Sequence, residues 1–171
     1  MDLTLKGKTA IITGGGSNIA RSIVMTMAEE GANIAIFDID EASAQATATL
    51  VKEGGATGRV EVFPTDVTSR QQVEDSISQV IKDFGQVHIL VNGVGWDQMG
   101  AFMDQTPEFH DKIVDLNYMG SLRCMRAVLP HMVERGYGRI VSLGSDAGRM
   151  GEFHEAVYSG AKAAVMALTK S

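Results

Sequence analysis

Tyr158-Ser159-Gly160-Ala161-Lys162 sets a phenol and an ammonium four residues apart, a spacing that puts both on one face of a helix. A lysine cation beside a phenol favours phenolate and moves its pKa from about 10 toward working pH. Such a tyrosine is an acid/base for a hydroxyl or carbonyl substrate. Ser145 lies upstream, at the end of a predicted strand, where its hydroxyl could bond the same substrate oxygen. The Y-x-x-x-K spacing alone recurs by accident, and its plain alternative is a surface tyrosine beside a helical lysine.

A second set lies near the N-terminus. Thr13-Gly14-Gly15-Gly16-Ser17-Asn18-Ile19-Ala20 follows an apolar strand and opens a helix, the context in which backbone N–H groups and a helix N-terminus hold a pyrophosphate. Read strictly as G-x-G-x-x-G the match fails at Ile19. Asp38 strengthens it. It ends the second predicted strand, where a carboxylate can accept both adenosine-ribose hydroxyls and repel a 2′-phosphate. No Lys or Arg occupies Gly15 to Ile19 or the two positions after Phe37, so NAD is favoured over NADP.

The elements that must position these residues alternate. Strands are predicted over Thr9–Thr13, Asn33–Phe37, Val60–Pro64, Val87–Asn92 and Arg139–Leu143. Helices are predicted over Ile19–Glu30, with Gly31 closing it, and over Asp40–Glu53 and Val67–Phe84, the last capped by Thr68 or Ser69. A loop, Gly93–Pro107, leads into one long helix to about Arg135; a Gly-rich loop then precedes a final helix from about Ala156. This is an α/β, doubly wound parallel sheet of order 3-2-1-4-5, a Rossmann fold. Ligands should lie over the carboxyl ends of the first and fourth strands, where the loops that begin at Gly14 and Gly93 meet.

Composition narrows the function classes. The 171 residues support one domain. A net charge of −6 recommends neither nucleic acid nor an anionic membrane as partner and leaves a small-molecule substrate. Cys124 is the single cysteine, which excludes an intrachain disulfide and fits a reducing, cytoplasmic setting. The apolar run behind Lys6 and Lys8 dives into Gly14, which is neither a signal peptide nor a membrane span. His88, His110, His131 and His154 have no ligand spacing, so no metal is expected. Cys124 and the methionines at 25, 27, 132 and 166 read as packing.

With these residues in order, the chain resembles the short-chain dehydrogenase/reductase family over essentially its whole length. Thr13–Ala20 is similar to the family's T-G-x-x-x-G-x-G loop, Asp66 to its adenine-contacting acid, and Asn92-Gly93-Val94-Gly95 to its N-N-A-G turn. Asn117, Ser145, Tyr158 and Lys162 match its catalytic Asn, Ser, Tyr and Lys. The resemblance implies cofactor contacts from Gly14, Gly16, Ser17, Asn18, Ile19, Asp38, Asp66, Val67, Asn92 and Gly93, joined by Tyr158 and Lys162. It implies that Tyr158 takes the proton of a substrate hydroxyl while hydride passes to the nicotinamide, that Ser145 holds the oxygen, that Lys162 bonds the nicotinamide ribose, and that Asn117 anchors a water linking Lys162 to solvent. The Tyr–Lys spacing then favours alcohol and ketone chemistry over C=C reduction.

Three departures from the pattern bear on geometry. Asn18 stands where the family has glycine and is the side chain best able to take positive φ; Ala20 stands where the last glycine lets helix and strand approach; Gly93 and Val94 replace Asn and Ala, which removes side-chain bonds that stiffen the turn.

The substrate signal is narrower. Trp96-Asp97, Ser145–Arg149 and Glu155–Tyr158 resemble members of the 2-hydroxycyclohexanecarboxyl-CoA dehydrogenase type, implying an alicyclic hydroxyacyl-CoA. Trp96 reads either as a pocket wall or as packing over its loop, and Arg149 as a surface partner of Asp146 or a contact to CoA phosphate. The alternatives are a 3-oxoacyl thioester reductase and a non-catalytic NAD-binding or interaction protein. The family's dimer surfaces correspond to the long helix and the Tyr158 helix, so a homo-oligomer, dimer or tetramer, is expected. Family members continue past the Lys162 helix, so 1–171 reads as a dinucleotide-binding domain truncated after that helix, its C-terminal strands missing.

Overall fold

The computed structural model describes residues 3–171. Five parallel strands lie in the order β3-β2-β1-β4-β5, with β1 Thr9–Thr13, β2 Asn33–Asp38, β3 Val60–Pro64, β4 Ile89–Asn92 and β5 Arg139–Ser142. The predicted order and switch point are both present. Strand alternation divides the core between the two faces of the sheet. Ala10, Ile12, Ile34 and Ile36 pack with Val24, Ala28, Ala44 and Ala48 of α1 (Asn18–Glu29) and α2 (Glu41–Glu53). Ile11, Ala35, Phe37 and Leu90 point the other way, onto Val73, Ile77 and Val80 of α3 (Arg70–Phe84) and Cys124 and Val128 of α5 (Gly120–Glu134). Phe37 and Ile11 are fully buried, so truncating either to Ala costs about 2–5 kcal/mol.

Several boundaries shift for local reasons. Asp66 accepts the Thr68 N–H (2.8 Å) and hydroxyl (2.7 Å), holding residues 66–69 in a turn, so α3 begins at Arg70 and not at Val67. Ser69 supplies its cap to Gln72 N–H. β4 starts at Ile89, two residues later than predicted, and the Val87 N–H goes to Nε2 of buried His131. His88 accepts the Thr9 N–H through Nδ1. These two histidines serve the backbone at the base of the sheet.

The long predicted helix is three segments: α4 Pro107–Val114, a π-helical stretch Asp115–Met119, and α5. Asn117 causes the widening. Its Nδ2 donates to Ile113 O (3.0 Å), the carbonyl its own backbone N–H would take in an α-helix. A short helix α6, Ala147–Met150, lies in the segment predicted as loop, and α7 (Ala156–Lys170) follows. Cys124 is buried, with its thiol pushed up to about 12 by burial, as packing requires. Arg149 faces Asp146 at 3.5 Å on the surface.

Candidate active site at the switch point

β1 and β4 diverge into loops at their carboxyl ends, and one hydroxyl joins them. Thr13 Oγ1 accepts the N–H groups of Gly93 (3.0 Å) and Val94 (3.3 Å). The expected softness of this turn is therefore offset by a bond from the opposite strand. Asn18 takes φ +49, the left-handed conformation anticipated for it, and Gly14 takes φ +73. Ala20 and Gly93 are also coupled. A Cβ built on Gly93 would lie 2.9 Å from the Ala20 methyl and 2.5 Å from Thr13 O. The methyl absent at 93 leaves space for the one present at 20.

Gly16 is held from both sides. Its N–H donates to Asp38 Oδ2 (2.9 Å), and its carbonyl accepts from the Arg21 guanidinium, which also donates to Thr47 Oγ1 through Nε (3.0 Å). The Asp40 N–H takes Asp38 Oδ1 (3.0 Å). Each Asp38 oxygen retains acceptor capacity, so ribose hydroxyls remain possible partners. Arg21 is a residue that motif reading missed. Only its place one helical step past the loop hinted at it.

A cleft of about 410 Å³ runs from Asp38 to Lys162. Of the predicted cofactor residues it is lined by Gly14, Ser17, Asn18, Ile19, Asp38, Asp66, Val67, Gly93, Tyr158 and Lys162. Gly16 lies behind the loop as its tether. Asn92 is also outside the lining, its Nδ2 donating to Ser142 Oγ (3.2 Å). Thr65, Leu143 and Gly144 line the cleft without having been anticipated. Trp96 does too, which favours the pocket-wall reading; its ring meets Phe109 edge-on at 6.1 Å and carries Lys112 Nζ 4.2 Å above it.

The chemical end is built from α7, β5 and the π-helical stretch. Lys162 is almost wholly buried, and its Nζ donates to Leu143 O (2.9 Å) while sitting 5.7 Å from the Tyr158 ring centre. A Cβ on Gly95 would lie 3.0 Å from that nitrogen and 3.2 Å from Asn117 Oδ1, so glycine keeps this space open. Asn117, fully buried, pins Trp96 by accepting its N–H (3.1 Å) and donating to its carbonyl (2.8 Å). Ser145 accepts the Ala147 N–H (3.2 Å) and lies beside Tyr158, where its hydroxyl favours the phenolate.

The electrostatics differ from the simple reading of Y-x-x-x-K. Burial raises the Tyr158 pKa above its usual value, the Ser145 hydroxyl lowers it, and the charges of Glu155 and Asp97 raise it further. Burial depresses the pKa of Lys162, and its ammonium is turned to a backbone carbonyl. In the protein alone Tyr158 is a weak acid.

This arrangement has relatives. Residues 8–171 match the short chain dehydrogenase family. The chain belongs to that family. It is 35% identical over 170 residues to a sorbitol dehydrogenase of Cereibacter sphaeroides, covering 99% of this chain and 64% of that one. It is 34% identical over 168 residues to the (2S)-[(R)-hydroxy(phenyl)methyl]succinyl-CoA dehydrogenase subunit BbsD of Thauera aromatica, covering 98% and 66% respectively. Among solved structures, NAD+-bound xylitol dehydrogenase superposes with a TM-score of 0.93 at 30% identity, covering 97% of this chain and 64% of that one. The chain thus spans about two thirds of the length of these relatives.

Proposed function

We propose that this chain is an NAD-dependent oxidoreductase interconverting a secondary alcohol and a ketone, with an alicyclic hydroxyacyl-CoA as the substrate class. One observation carries the reading: a single cleft has Asp38 at one end, Tyr158 and Lys162 at the other, and glycine between them.

A dinucleotide fits this cleft on the chain's own terms. A Cβ on Gly16 would lie 2.8 Å from Asp38 Oδ2, and one on Gly95 would crowd Lys162, so the glycines leave room for a ligand and its carboxylate acceptor. Asp38 would hold the adenosine ribose, and its charge disfavours a 2′-phosphate. Arg21, in the first turn of α1, is committed to Gly16 O and Thr47. Ser17, Asn18 and Ile19 would hold the pyrophosphate at the N-terminus of α1. Asp66 and Val67 would flank the adenine, and Lys162 would bond the nicotinamide ribose. When bound, the cofactor supplies the hydride acceptor or donor.

The remaining chemistry belongs to the side chains. Tyr158 Oη takes the proton of the substrate hydroxyl in oxidation and returns it to the carbonyl oxygen in reduction. Ser145, beside Tyr158, orients the same oxygen. Asn117 holds Trp96, and hence the pocket wall, and its position near Lys162 suits a water leading protons outward. The similarity to a hydroxyacyl-CoA dehydrogenase subunit supports the substrate class. Leu129 and Val133, exposed on α5, support assembly as a homo-oligomer, which light scattering tests. No helix among the described residues is long and apolar enough to cross a membrane; with the acidic balance and lone cysteine this supports a cytoplasmic location.

The test is an NADH fluorescence titration beside turnover assays with cyclic alcohols and acyl-CoA ketones. Saturable NADH binding with hydride transfer is the expected result. Binding without turnover of any member would establish the non-catalytic reading instead, and turnover of straight-chain 3-oxoacyl thioesters alone would establish the reductase.

A further inference from the structure

We propose that the cleft formed by residues 98–109 is a subsite for the amide-bearing arm of the substrate, the pantetheine chain of a thioester. This deepens the proposed function and rests on it. The cleft measures about 430 Å³ and is lined by Met99, Gly100, Gln105, Thr106 and Phe109 among others. It begins immediately after Trp96, a wall of the dinucleotide cleft, and the Trp96–Phe109 ring pair stands between the two spaces. Its loop is tied to the segment leading to Tyr158 by the Gly100 N–H, which donates to His154 O (3.0 Å). A chain attached to a carbinol at Tyr158 therefore has a route over the aromatic pair.

One polar group here lacks a partner: Gln105 Oε1 is among four buried side-chain atoms of the described residues with no hydrogen bond, and it is the one whose residue lines this cleft, while Asp97 Oδ2 and His110 Nε2 flank the stretch in the chain. Gln105 is oriented by its Nε2, which donates to Gly100 O (3.4 Å), so the orphan atom is an acceptor. A buried acceptor left unpaired costs about 1–3 kcal/mol, which a ligand donor recovers on binding. The missing partner must therefore bring N–H or O–H groups. A pantetheine arm carries two secondary amide N–H groups separated by methylenes, and the methylenes suit Met99 and Phe109. A polyol carries a hydroxyl on every carbon and would leave several of them against those apolar side chains.

The test is saturation-transfer NMR on the 171-residue chain with pantetheine and, separately, with sorbitol, each with NADH present and NADH fluorescence read on the same sample. Pantetheine should receive saturation and sorbitol should not. The Gln105→Met variant should reduce the pantetheine signal at least threefold, and Gln105→Glu, which keeps an acceptor, should restore most of it; thermal melts report whether each variant is folded. A pantetheine signal unchanged in Gln105→Met, or a signal from sorbitol alone, overturns the subsite. Failure of NADH to bind overturns the dinucleotide reading separately, because Gln105 lies outside that cleft.

Discussion

The dinucleotide half of the site and the substrate half are built to different standards of completion. Around Gly16 the polar groups are partnered: Asp38, Arg21 and Thr13 hold the loops before any ligand arrives. On the substrate side, Asp97, Gln105 and His110 each keep an unpaired buried atom, against Asn92 alone among the described residues of the cofactor half, and Met99, Met103, Met150 and Phe153 are largely exposed. The contrast separates what a shared cofactor demands from what a particular substrate must complete. A preorganised cradle spends little of its binding energy on ordering itself. An unfinished wall makes affinity depend on the ligand that supplies the missing donors.

The sharpest way to break this contrast is Tyr158→Phe. Loss of the acid/base should lower turnover by on the order of 10³-fold while NADH affinity is nearly unchanged. Equal loss in both would place the phenol in the cofactor half and erase the division. Asp38→Ala attacks the cradle itself, removing an acceptor from the Gly16 and Asp40 N–H groups. A hydrogen bond to a charged group contributes about 1.5–3 kcal/mol, so NADH should bind roughly ten- to a hundredfold more weakly in a fluorescence titration. Unaltered affinity would mean that the cradle is not preorganised by Asp38.

A smaller effect tests whether the two loops form one unit. Gly93→Asn restores the family's residue but drives a Cβ into Thr13 O and the Ala20 methyl, costing about 1–3 kcal/mol of stability in thermal or urea unfolding. Ala20→Gly in the same chain should recover part of that loss, with a coupling of roughly 0.5–2 kcal/mol. Simple additivity would mean that the exchange of methyls between 20 and 93 is coincidental.

What was legible in the chain follows the same division. The strand order, the left-handed Asn18 and the place of Asp38 depend on short-range pattern and on backbone limits that each residue carries with it. The π-helical turn does not. It depends on Asn117 reaching both Ile113 O and the Trp96 backbone, a contact made only after distant segments have packed. Likewise Lys162 was expected to act on Tyr158, four positions away, but a carbonyl at Leu143 and deep burial decide where its charge points. The tethering done by Arg21 and by the Thr13 hydroxyl was hidden for a related reason: each joins the cofactor loop to another segment, Thr47 and the Gly93 turn, and no spacing rule encodes that. Helix α6 escaped notice because Gly148 and Gly151 read as loop, although Gly148 also allows α6 to press against Lys162 and Ala163.

The gentlest probe is pH, and its sign is informative. Burial, Glu155 and Asp97 together hold Tyr158 above the ordinary phenol value, and only the Ser145 hydroxyl opposes them. Because its folded pKa is raised, the stability it contributes is present below the unfolded value and fades as pH climbs through the folded one. Lys162 runs opposite, since burial disfavours its ammonium and the cost is relieved as pH rises. Replacing Asp97 by Asn removes one of the charges that raise Tyr158 while leaving Ser145 and Lys162 in place. The phenolate absorbance of Tyr158, taken as the difference from Tyr158→Phe, should then appear at lower pH than in the parent protein, and the rise in alcohol oxidation with pH should shift the same way. Oxidised NAD should move both further down, because it brings positive charge to the ring's vicinity. Should Asp97→Asn leave the titration untouched, the substrate wall would be electrically separate from the phenol, and the unfinished half would influence only binding. A shift instead means that whatever donor pairs Asp97 also tunes the acid beside it.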